Sequence, residues 1–121
     1  MESKKLTELV VDALEDIKGI DIKILNVQEK TTITDVMVIA SGNSSRQVKA
    51  LVDSVVVNCK QNEVQPLGIE GTDPGEWALI DLGDVIVHVM QPSIRDFYNI
   101  EKLWGDDSPD VSENLEADQS G

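Results

Sequence analysis

The chain opens with an apolar stripe. Leu6, Leu9, Val10, Ala13, Leu14 and Ile17 recur at i, i+3, i+4, i+7, i+8 and i+11, which puts them on one side of an α-helix. Ser3 stands where it can cap the start, and Gly19 suits the end. Two β-rich segments follow, "IDIKILNV" and "TDVMVIAS". The first is mixed. The second has an unbroken apolar centre from Val36 to Ala40, the mark of a strand covered on both faces. The period then returns to that of a helix, with Val48, Leu51, Val52, Val55, Val56 and Cys59 on one side. Its start, Ser44-Ser45-Arg46-Gln47, reads as a capping box, in which serine accepts from the N3 amide and glutamine reaches back. Valines 55 to 57 lower the helix propensity, but the apolar stripe outweighs them because packing usually decides.

Pro66 confines the next strand, near "VQPLGIEG", to a short or edge role. The turn-rich "GTDPGE" leads into "EWALIDLGDVIVHVM", two strands joined by a short turn. Pro92 suits a first helical turn, and Ile94, Phe97, Ile100, Leu103 and Trp104 give that helix an apolar side. The order αββαβββα predicts an α/β fold: a single-domain sandwich with a mixed sheet of about five strands and helices packed on it. Residues 1–104 form this domain. The rest has Pro109, many acids and no periodicity, and is expected to be a disordered acidic tail over 105–121.

The hairpin divides by alternation into two faces. Ala78, Ile80, Val85, Val87 and Val89 form an apolar face for the core. Trp77, Leu79, Asp81, Asp84, Ile86 and His88 form a mixed one. With Leu82-Gly83 as a two-residue turn, Asp81 opposes Asp84 and Trp77 opposes His88, while Leu82 stands exposed at the tip. Like charges directly opposite are destabilising, and such local misfits point towards function. Leu82 and the two acids are therefore expected at a partner contact. The four aromatics all lie between Trp77 and Trp104. Phe97 and Trp104 are expected in the core, with Trp77 and Tyr98 as candidate interface anchors.

Composition narrows the chemistry. The net charge of −13 divides into −6 from the six acids of residues 105–121 and −7 from 17 acids and 10 bases before them. Phosphate affinity comes mainly from Lys and Arg, so direct sequence-specific nucleic-acid binding is not expected and a basic protein partner is. One cysteine, Cys59, allows neither an intrachain disulfide nor a cysteine-based zinc site. No apolar run approaches the ~20 residues that span a bilayer, and the first residues lack a signal-peptide pattern. A soluble cytoplasmic protein with no membrane partner is the expectation. An unpaired strand could pair with its copy, which leaves room for a homodimer.

An enzymatic alternative is a degenerate or active nucleotidyltransferase-like protein using magnesium and nucleotide. "SGNSS" after a strand resembles the entry of such enzymes, but no Asp-x-Asp strand pair is present to converge on a metal. His88 and Asp84 lie four strand residues apart, roughly 13 Å by rise, too far for a dyad. His88 is expected beside Trp77 instead. No catalytic, cofactor or metal residue is assigned.

"TDVMVIASGNSSRQVKALVDSV", "GIEG", "EWALIDLGDVIVHVM" and "RDFYNIEKLWGD" together resemble the ribosomal silencing factor family, also called RsfS, YbeB or iojap. The resemblance runs from about Thr7 to Gly105. The family motif usually has an aromatic where Val36 stands, and two tyrosines often stand where Phe97 and Tyr98 do. The resemblance implies a nucleotidyltransferase-like fold without a catalytic site. It also implies a non-enzymatic translational repressor that binds the large ribosomal subunit through that subunit's protein number fourteen. Occupying this face blocks joining with the small subunit and lowers translation when nutrients are short. Within that frame Trp77, Asp81, Leu82 and Asp84 are expected at the centre of contact, with Glu70, Arg95 and Tyr98 around it.

Overall fold

The computed structural model describes residues 1–104, so the disordered tail expected over 105–121 lies outside the described residues. Helix α1 (Ser3–Asp16) carries the first apolar stripe, and Leu6, Val10, Ala13 and Leu14 are buried. It starts one residue earlier than the expected serine cap, with Glu2 at the N-cap and no side-chain capping bond. Its end is a Schellman closure. The Gly19 amide donates to the Leu14 carbonyl and the Lys18 amide to that of Glu15, with Lys18 at φ 59°.

Strands β1 (Ile20–Asn26) and β2 (Val36–Ser41) pair antiparallel. Helix α2 (Ser45–Gln61) follows, with Val48, Leu51, Val52, Val55 and Cys59 buried. The expected cap forms: the Ser44 hydroxyl accepts from the Gln47 amide at 3.1 Å. The Gln47 side chain reaches back to the amide of Asn43, at 2.8 Å. The short strand β3 (Gly68–Glu70) does lie at an edge, beside β4 (Trp77–Asp81), which pairs with β5 (Val85–Met90).

The sheet order is β1-β2-β5-β4-β3. Only β2 and β5 are parallel; the other neighbours are antiparallel. The sheet is therefore mixed and five-stranded, as the element order implied. Helices α1 and α2 cover one face, closing a core against Val38, Ala40, Ala78, Ile80, Val85, Val87 and Val89. On the other face Leu25, Val27, Met37, Ile39 and Met90 form a smaller cluster, backed by Ile94, Ile100 and Trp104. Strand β2 is thus covered on both faces.

The last helical segment differs from the single helix expected. It is two short helices, α3 (Pro92–Tyr98) and α4 (Ile100–Trp104), broken at Asn99, which takes the left-handed conformation at φ 48°. Asparagine tolerates that region better than most side chains. The break rotates the two halves of the stripe apart. Ile94, Ile100 and Trp104 still pack inward, but Phe97, expected in the core, is 79% exposed.

A half-open sheet face as candidate docking surface

The hairpin closes one position later than expected. The Leu82 amide donates to the Val85 carbonyl at 2.9 Å, so Gly83 and Asp84 are the turn residues. Gly83 has φ +88°, the positive angle that a two-residue turn of type II′ requires at its first position. In this register Asp81 opposes Ile86, Leu79 opposes His88 and Trp77 opposes Met90. Two expectations fall with it. Asp81 and Asp84 do not face one another, and Leu82 is not at the tip. Leu82 is 8% exposed and packs in the core with Ile80 and Val85, because alternation carries it to the apolar side. Asp81 has a local task, as its Oδ1 accepts from the Gly83 amide at 2.9 Å.

The faces themselves stand as read. Ala78, Ile80, Val85, Val87 and Val89 point to the main core. The opposite side forms three rows across β2, β5 and β4: Ser41–Met90–Trp77, Ile39–His88–Leu79 and Met37–Ile86–Asp81. Glu70 of β3 extends the middle row. Towards β1 this face is buried, while towards β3 it opens. Trp77, Leu79, Asp81 and Ile86 are half-buried and Glu70 is exposed. A shallow depression of about 260 Å³ is lined by Glu70, Gly71, Trp77 and Leu79. Gly71 shapes this corner. At φ +79°, a Cβ there would come within 2.0 Å of the Trp77 carbonyl oxygen, so only glycine lets the loop pass this close.

Aromatic rings border the open area. Trp77 and Tyr98 lie with centroids 4.9 Å apart, and Phe97 meets Tyr98 edge-on at 5.0 Å. Tyr98 is 54% exposed. His88 is beside Trp77 as expected: the indole Nε1–H donates to His88 Nδ1 at 3.0 Å. Burial pushes this imidazole down to about 4, so it is neutral and can accept that bond.

Arg95 is not on the open surface. It is 5% exposed, and its guanidinium forms a two-pronged pair with Glu101, Nε to Oε2 at 2.6 Å and an Nη to Oε1 at 3.1 Å. Its other Nη donates to Ser41 Oγ at 2.8 Å, and Asp21 lies 3.8 Å away. The pairing holds the Glu101 carboxyl below its ordinary range. Arg95 thus ties α3 and α4 to the end of β2 and fixes where Tyr98 meets Trp77. A buried guanidinium cannot reach a partner without breaking this network.

Of the residues expected at a contact, the fold brings Glu70 and Trp77 to one depression, with Tyr98 against the Trp77 ring and Asp81 on the same sheet face. Asp84 is exposed at the adjoining turn; Leu82 and Arg95 are withdrawn. Sequence reasoning passed over Phe97, whose signal was the asparagine two positions on. The sequence building this region is acidic, with Asp73 paired to Lys49 at 3.3 Å. From Gln61 to Ile94 the chain has Glu63, Glu70, Asp73, Glu76, Asp81 and Asp84 and no lysine or arginine. The "SGNSS" hydroxyls are occupied structurally, Ser41 by Arg95 and Ser44 as the α2 cap. Among the described residues no group of three or more His, Cys, Asp or Glu is placed to hold a metal ion, and no helix is long and apolar enough to cross a membrane.

Fold and face define a small α/β protein on a single mixed sheet, with one side closed by helices and the other half-open. The whole chain, residues 1–121, matches the family model described as "ribosomal silencing factor during starvation". It is 50% identical over 109 residues to the ribosomal silencing factor of Chromobacterium violaceum, covering 90% of this chain and 89% of that one. A crystal structure of a protein from the same organism superposes with a TM-score of 0.86 at 50% identity, covering 90% of this chain and 91% of that one. A mouse relative, "mitochondrial assembly of ribosomal large subunit protein 1", is 32% identical over 102 residues, 80% of this chain and 44% of that protein. The chain belongs to the ribosomal silencing factor family, which is named for regulation of ribosomes and not for catalysis.

Proposed function

We propose that this protein is a translational repressor that docks on the large ribosomal subunit through its basic protein number fourteen. Bound there, it sterically blocks joining with the small subunit and so lowers translation under nutrient limitation. The observation that carries this reading is the open half of the second sheet face. Trp77, Leu79 and Ile86 offer apolar area there, beside Glu70, Asp81 and Asp84. An interface needs a desolvated anchor and a complementary rim. Trp77 and Tyr98 supply the first and the acids the second, and a basic partner is both attracted and selected by that field.

Sedimentation of mixed subunits tests it. Added to separated subunits, the chain is expected to reduce the joined peak, and more strongly at low salt. Trp77→Ala is expected to weaken binding to isolated large subunits by roughly 30-fold or more, as for a central aromatic anchor. Asp84→Lys is expected to weaken it by a smaller factor that shrinks as salt rises. Unchanged affinity in the folded double variant would overturn the reading.

A further inference from the structure

We infer that His88 is the positioning residue of the docking face, holding the Trp77 indole in the orientation in which it meets a partner. This rests on the docking face proposed above. His88 is 7% exposed, in β5 between Ile39 and Leu79. An aliphatic residue would fill a strand position between two apolar neighbours without bringing a polar group inside. What the imidazole adds is an acceptor. Its Nδ1 lies 3.0 Å from the indole nitrogen of a residue one strand over and diagonally displaced. A half-exposed indole could satisfy its N–H with water. Here it is turned inward to the imidazole, while Tyr98 flanks the ring at 4.9 Å. The bond and the ring contact together leave Trp77 little rotamer freedom.

A rigid aromatic loses less on association than a mobile one. The ordering cost of one side chain corresponds to about 2- to 10-fold in affinity. The inferred task of His88 is to meet that cost during folding. Neighbouring acids do not take part: the bond joins two neutral groups, and Asp81 is occupied by the Gly83 amide.

Binding to isolated large subunits tests this with His88→Leu, which keeps apolar volume and removes the acceptor. His88→Asn keeps an oxygen near the place of Nδ1. Trp77→Phe removes the donor and keeps a ring. The expected result is a 3- to 10-fold loss for His88→Leu, near-normal binding for His88→Asn, and no further loss when His88→Leu is added to Trp77→Phe. Hydrogen exchange of the Trp77 indole proton, followed by NMR, is expected to be slow in wild type and His88→Asn and fast in His88→Leu. Trp77→Phe carries the test at the donor side, at a half-exposed position, should His88→Leu fail to fold. Wild-type affinity for Trp77→Phe, or for a folded His88→Leu with fast exchange, overturns the inference. So does an equal His88→Leu loss in the Trp77→Phe background. If Trp77→Ala itself binds normally, the docking face is wrong and the inference falls with it. A loss for Trp77→Ala with none for His88→Leu or Trp77→Phe leaves the face standing and removes only the role of His88.

Discussion

At the scale of single residues, the buried imidazole has a consequence for stability. In the unfolded chain a histidine takes its proton near 6.5, while in the fold His88 does so only near 4. Between those values the unfolded state binds more protons than the folded one. Stability therefore falls as the pH drops from about 6.5 to about 4, and this group contributes nothing above that window. The full span corresponds to about 3 kcal/mol. Urea unfolding at pH 7, 6, 5 and 4 is expected to show this decline in wild type and a flatter curve for His88→Asn. Glu101, held low by Arg95, adds a loss of its own as the pH falls from the ordinary carboxylate value through its lowered one. Cys59 is a buried thiol pushed up by its surroundings, a packing residue of α2 and not a nucleophile.

At the scale of elements, α3 and α4 are too short to stand alone, and one buried guanidinium holds them. Arg95→Met is expected to cost about 2–3 kcal/mol, because Glu101 is left part-buried without its partner. A cycle with Glu101→Met is expected to recover much of that loss, since removing both charges leaves neither unpaired. Thermal melts of the two single variants and the double measure it. Binding should weaken in Arg95→Met as well, through a displaced Tyr98 and not through a lost contact. Elements with a strong period were legible in the sequence: both long helices, the doubly covered β2, and the two faces of the hairpin. Strand partners were less so. The β2–β5 parallel pair depends on long-range contacts that no local pattern encodes. The register of β4 against β5 was misjudged because "LGD" admits a turn at Leu82-Gly83 or at Gly83-Asp84, and both use the same glycine and the same faces. The break at Asn99 was missed because a helical stripe continues across it.

At the scale of the whole molecule, acidity and an unequally covered sheet act together. The side towards β3 is the open part of this face, and the chain from Gln61 to Ile94 that builds it carries six acids and no lysine or arginine. Of the candidate site, the hairpin's mixed face was legible, with Trp77, Leu79, Asp81, Ile86 and His88 on it. The rest was not. Leu82 was displaced by the register, and Arg95 answers to Glu101 and Ser41, partners that only folding brings near.

One strand, β4, lines both the finished core and the open face, and consecutive residues belong to different sides. A variant library of Trp77 to Asp81, scored separately for abundance and for capture by large subunits, should therefore oscillate with a period of two. Ala78 and Ile80 would register in abundance; Ile80→Ala alone removes about 2–5 kcal/mol of packing. Trp77 and Leu79 would register in capture while abundance stays near normal. Selection on stability and selection on partner choice then act on neighbouring codons with little interference, so a lineage could retune its contact without rebuilding its interior.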